Sequence, residues 1–152
     1  MTSAALWAAL AGGLPLAGAL AALLQSRLYL VVRVDGDSME PTFADGDRLL
    51  VRRRRPRALH TGQVVVASSP RVRPGARVRR DRRTLMVKRI AARPGEPVRP
   101  ELLPPDLARD GATVPPGMFI VAGDNPRGLS SRRLGYLPGN LVYGVVVRRL
   151  ST

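Results

Sequence analysis

The sequence predicts a small, mainly β, mostly antiparallel domain carried on one N-terminal transmembrane helix. Three observations lead there. The stretch from Ala4 to Leu24 carries no charged residue. Beyond Ser26 the chain turns into short, Val-rich apolar runs broken by Gly and Pro, with no helical periodicity longer than a turn or two. And 152 residues suffice for one compact domain with a modest core, with little left for a second.

Taken in order, the first element is the apolar stretch. Its 21 residues, mostly Ala, Leu and Gly, would span about 31 Å at roughly 1.5 Å per residue, close to the hydrocarbon thickness of a bilayer. Pro15 is tolerable in such a helix. A cleaved signal peptide would carry basic residues ahead of its apolar region, and none precedes Arg27. Residues 1–26 therefore read as a retained single-pass anchor and 27–152 as the β domain. The positive-inside rule sees no Lys or Arg before Ala4 but Arg27 and Arg33 after Leu24, which by itself keeps the domain on the cytoplasmic face.

The strands follow. Leu28–Val34, Arg48–Arg52, Gln63–Ala67, Thr84–Ala91, Met118–Ala122 and Asn140–Arg148 have the length and β-branched content expected of them. Arg52–Arg57 and Arg71–Arg83 are Arg-rich and punctuated by Pro, and read as exposed turns and loops. No internal repeat is present.

Composition removes several chemistries. The absence of cysteine excludes disulfides, thiolate metal sites and cysteine nucleophiles, and the single His60 cannot build a multi-histidine metal site. No metal and no cofactor is expected. Aromatic content of 4% argues against stacking platforms for single-stranded nucleic acid. The net charge of +14 would ordinarily raise a nucleic-acid or anionic-membrane reading. Its make-up is more telling: 24 of the 25 cations are arginine and one, Lys88, is lysine. Richness in Arg, Ala, Gly and Pro resembles the coding bias of a GC-rich genome, which weakens a functional reading of the charge. It also leaves the lone lysine in need of a reason.

The informative segment is Gly36-Asp37-Ser38-Met39-Glu40-Pro41-Thr42, followed by Asp45-Gly46-Asp47 and a strand. A serine in a Gly- and Pro-bounded turn just after a strand exposes both its hydroxyl, which can attack, and its N–H, which can help bind an oxyanion. An isolated turn serine is ordinarily a capping hydroxyl, so Ser38 alone proves nothing. It needs a base. His60 sits beside Thr61-Gly62 in a turn or strand entrance and is a poor candidate. In Leu85–Ile90, strand alternation puts Met86, Lys88 and Ile90 on one face and Val87 and Arg89 on the other. A lysine between apolar neighbours is partly desolvated, which lowers its pKa towards that of a useful base. Arginine cannot take this part, because it does not deprotonate in proteins.

Ser38 in Gly-Asp-Ser-Met-Glu-Pro-Thr, Lys88-Arg89 in Met-Val-Lys-Arg-Ile-Ala-Ala-Arg-Pro-Gly, and Gly123-Asp124-Asn125 resemble, in order, three boxes of the type I signal peptidases, the Ser-Lys S26 family. The resemblance runs from about Val34 to Leu150. It implies a coiled antiparallel β domain behind the membrane helix, with Ser38 as nucleophile and Lys88 as general base. It places Met39 and Pro41 near a substrate groove, and Val87 and Val121 beside the small side chains of the substrate. It pairs Arg89 with Asp124. The implied partners are a precursor polypeptide with a leader sequence and the lipid bilayer, with no nucleic acid. The family implies the trans face of the membrane, against the charge asymmetry, so the face stays open.

Two departures stand out. Where family members often carry a serine two residues before the nucleophile, this chain has Gly36, so an oxyanion hole would rest on backbone N–H and water. In Gly123–Arg132 the usual Ser-x-Asp-Ser-Arg ending is one residue shorter, with Ser130 at the Asp position. Either Ser130 orients the lysine or Arg132 lacks its carboxylate. The short third box also resembles that of the nickel-type superoxide dismutase maturation proteases. A catalytically weakened membrane protein of the same fold is a further alternative. A repressor-type Ser-Lys autoprotease would need a DNA-binding module where this chain has an apolar segment.

Overall fold

The computed structural model describes residues 26–69, 85–105, 107, 111–126 and 135–151. The expected anchor thus lies outside the described residues except for Ser26, as do Arg71–Arg83 and Ser130–Arg132. No helix among the described residues is long and apolar enough to cross a membrane.

The domain is mainly β, a curled antiparallel half-barrel. Its strands are β1 (Tyr29–Arg33), β2 (Arg48–Arg53), β3 (Val64–Ser68), β4 (Leu85–Ala92), β5 (Met118–Ala122), β6 (Leu137–Pro138) and β7 (Val142–Ser151). They lie in the order β1-β2-β7-β3-β4-β5-β6, every pair antiparallel. All six expected strands are present within three residues at either end. The largest difference is at the last, where Gly139–Leu141 forms a 3-10 turn and β7 continues to Ser151. β6 has no counterpart in the sequence reading, because a two-residue strand ending in Pro carries no periodicity.

The curl has local causes. Register shifts interrupt the β2–β7 ladder at two places, the β3–β7 ladder at Val66/Ala67 and the β4–β5 ladder between Ile90 and Ala92. Each shift bends its strand and increases its twist. Where β7 meets β2, a side chain at Gly144 would collide with the carbonyl oxygen of Arg52, so glycine is what lets the two backbones close.

β3 is buried along its whole length and supplies two cores. Val65 and Ala67 join Ile90, Phe119, Val121, Leu137 and Leu141 in one cluster. Val64 and Val66 join Val32, Val34, Met39, Leu49, Val51 and Val87 in the other. The alternation expected of β4 is met by packing: Met86 and Ile90 go to the first cluster, Leu85 and Val87 to the second. A third cluster, around Val98, Leu103, Val114 and Ile120, closes the excursion between β4 and β5.

Candidate active site

Ser38 lies in the turn that links β1 to β2, and the chain pins this turn from several sides. Val34 donates its N–H to Asp47 O at 2.8 Å and Gly46 donates to Val34 O at 3.0 Å, which closes the loop at its neck. Gly36, at φ +90, donates to Asp45 Oδ1 at 2.8 Å. Only glycine adopts that backbone freely. Glu40 N–H donates to Asp37 O at 3.0 Å, and Phe43 N–H to Met39 O at 2.9 Å. Beneath the turn Met39 is fully buried in the second cluster and acts as an apolar plug, so the residue next to the serine cannot swing away.

Asp47 fixes the far end of the loop. It is fully buried, accepts from Ala44 N–H at 3.0 Å, and pairs through Oδ2 with Arg149 on β7 at 3.0 Å.

Lys88 sits on β4 opposite Val65 and is 5% exposed. Burial pushes its pKa below the ordinary lysine value, while the carboxylates of Asp37 and Asp124 act in the opposite sense. Among the described residues no carboxylate forms an ion pair with it. Gly123, just past β5, joins the two halves. A side chain there would strike the carbonyl oxygen of Ser38, and its Cβ would lie 3.4 Å from Lys88 Nζ. Glycine at this position therefore lets the main chain of Ser38 and the amine of Lys88 face one another across a single residue.

The next two residues brace the serine turn. Asn125 N–H donates to Ser38 O at 3.2 Å, and Asn125 Nδ2 donates to Asp37 O at 3.1 Å. Asp124 accepts a two-pronged contact from Arg89, Nε to Oδ1 at 2.8 Å and Nη2 to Oδ2 at 2.5 Å. Thr42 Oγ1 donates to the same Oδ2 at 2.5 Å, and Arg89 Nη1 reaches Gly62 O at 2.8 Å. The hydrogen bonds from Arg89 hold the Asp124 carboxyl below its usual range. Sequence reading had placed no role on Thr42 or on the Asn125 amide. Thr42 is 82 positions from Asp124, and no local signal joins them.

Of the residues expected near a substrate groove, Pro41 is exposed, Val87 packs with Met39, and Val121 is fully buried in the first cluster. A groove of about 380 Å³ follows β1, lined by Leu30, Val31, Val32, Arg33, Asp35, Leu85 and Tyr143. His60 is exposed in a turn. Ser130 lies outside the described residues. Among the described residues no cluster of three His, Cys, Asp or Glu side chains could hold a metal.

The serine turn and the buried amine of Lys88 on β4 both border Gly123. The family described as signal peptidase, peptidase S26, matches residues 7–103, and the chain belongs to it. The match takes in Ser38 and Lys88 and ends before Gly123. Membership implies a serine peptidase of the signal-peptidase type that acts on precursor proteins. A comparison with curated proteins returned no match.

Proposed function

We propose that this protein is a membrane-anchored serine endopeptidase that removes leader peptides from precursor proteins, with Ser38 as nucleophile and Lys88 as general base. The observation that carries the reading is the meeting at Gly123, where the Ser38 main chain and the Lys88 amine share one small gap. Residues 1–26 anchor the chain, in keeping with the membrane association typical of the family.

The chemistry follows from the environment. A neutral Lys88 takes the hydroxyl proton as Ser38 Oγ attacks the scissile carbonyl. The acyl-enzyme forms, and Lys88 returns the proton to the leaving amine. Water then attacks the ester through the same base, freeing Ser38. Gly36 offers no hydroxyl to the oxyanion, and its N–H is taken by Asp45. The N–H of Ser38 itself is the backbone donor best placed for that charge. The substrate would lie extended along β1. This strand ends the sheet order, so its outer edge can pair with an added strand, and the groove beside it reaches Asp35, three residues before the nucleophile.

The test is cleavage of a fluorogenic leader peptide. Ser38→Ala and Lys88→Arg should each lower kcat/KM by at least about a thousandfold, because arginine keeps the charge but accepts no proton. His60→Ala should leave the rate within about twofold. Substantial activity in Lys88→Arg would sink the Ser-Lys assignment.

A further inference from the structure

The run Arg52–Arg57 holds five arginines and one proline, and the proposed catalysis uses none of them. Four of the five are exposed and Arg53 is half-buried. Among the described residues none forms an ion pair or a side-chain hydrogen bond. Five guanidinium groups on six residues repel one another, so an unpaired run of this kind has an electrostatic reason to seek an anion.

Register says where the run sits. Arg52 pairs with Tyr29 across β1 and β2, and the uncharged apolar stretch ends at Leu24. The five Cα–Cα steps from Leu24 to Tyr29 reach at most about 18 Å. The run thus begins at the end of the sheet where the chain leaves its apolar segment, close to Arg27. Leu28 and Val31, on the same approach, are 48% and 51% exposed. Exposed apolar side chains set among arginines are the composition of a surface that rests on a lipid interface.

Just past Arg54 the run borders a groove of about 670 Å³. It is lined by Arg55 and Arg57 together with Pro56, Pro94, Pro116, Gly117 and Phe119. A lining that combines arginines with apolar side chains matches a phosphodiester on a glycerol backbone, charged at one end and apolar at the other. Soluble polyanions share the charge but not the apolar half, and they have no reason to meet the chain at the exit of its apolar segment.

We propose that Arg52–Arg57, with the groove that Arg55 and Arg57 border, is a binding site for the headgroups of anionic phospholipids in the bilayer that holds the anchor. The inference rests on the reading of residues 1–26 as that anchor. Its consequence is orientation: headgroup contact would hold the half-barrel down on the membrane beside its anchor instead of letting it swing about Ser26.

The experiment uses the full chain reconstituted in phosphatidylcholine vesicles with or without phosphatidylglycerol. The chain has no cysteine, so His60→Cys, three residues past Arg57, takes a single environment-sensitive dye. The expected result is a blue-shifted emission and quenching by brominated lipid only when phosphatidylglycerol is present, reversed by raised salt. Each of Arg53→Gln, Arg54→Gln, Arg55→Gln and Arg57→Gln should lower the ratio of docked to free domain about fivefold. The matching Arg→Lys changes should preserve most of it, which covers the case of a glutamine variant that does not fold. Equal emission in both vesicle types overturns the proposal with the anchor intact. The same shift produced by soluble glycerol phosphate, or by an oligonucleotide without vesicles, overturns it in favour of a general anion site. Failure of the chain to float with either vesicle overturns the anchor reading itself, and the proposal with it.

Discussion

At the scale of single residues the proposed mechanism turns on one amine. A lysine 5% exposed can act as the base it assigns only if it loses its proton near working pH. Burial moves it that way. Asp37 and Asp124 resist, since a nearby carboxylate favours the ammonium form. The sign gives a prediction. Removing the charge in Asp37→Asn leaves burial less opposed, so the Lys88 pKa falls further. The ascending limb of kcat/KM against pH, which lies below the ordinary lysine value of 10.5, should move to lower pH by a few tenths to one unit. A pH-rate profile of the variant and the parent decides it, and a limb displaced to higher pH would contradict the arrangement. What the sequence offers for the proposed pair is chemical: the chain chooses arginine 24 times, and arginine could not be the base, so the lone lysine stands out. The structure adds that Lys88 is buried and that its amine and the Ser38 main chain both border Gly123. The influence of Asp37 was not legible, because it depends on how the turn folds over β4.

At the scale of elements, the turn between β1 and β2 is held by the segment after β5, which comes more than eighty residues later. Gly123 sets how closely they approach, Asn125 ties the backbone of Asp37 and Ser38, and Asp124 links Arg89 on β4 to Thr42 at the far side of the turn. Gly123→Ala should therefore push the serine turn off β4. The expected loss is about a hundredfold in kcat/KM, the scale associated with a displacement near 1 Å at a reacting group. The stability cost should be about 1–3 kcal/mol, as for other overpacked sites, read as a fall in Tm. Unchanged activity would mean that the two segments do not need to touch. The strands themselves were readable from β-branched runs and their punctuation. The bracing network was only half readable: the family resemblance supplied Arg89 with Asp124, while Thr42 and the Asn125 amide join elements whose separation no local pattern encodes. The groove along β1 has no sequence signal for the same reason, since it exists only once the sheet has curled.

At the scale of the molecule, the described half-barrel packs three apolar clusters from side chains between Leu30 and Val146. The apolar stretch Ala4–Leu24 is an expectation from length and lack of charge alone and lies outside the described residues, whereas the +14 charge reads only as coding bias until register sets Arg52 opposite Tyr29. If the first 25 residues serve to place the domain and not to build it, their removal separates two properties that an intact chain combines. The truncated domain should unfold cooperatively with a Tm within a few degrees of the parent. It should also cleave a short soluble leader peptide within about threefold of the parent rate. Cleavage of a precursor inserted in vesicles should fall much further, by about a hundredfold, because the anchor supplies an effective concentration that free diffusion does not. Parallel assays on the two substrates measure the difference. Equal losses on both would show that the N-terminal segment shapes the catalytic domain itself, and equal retention on both would remove any need for an anchor in the reaction.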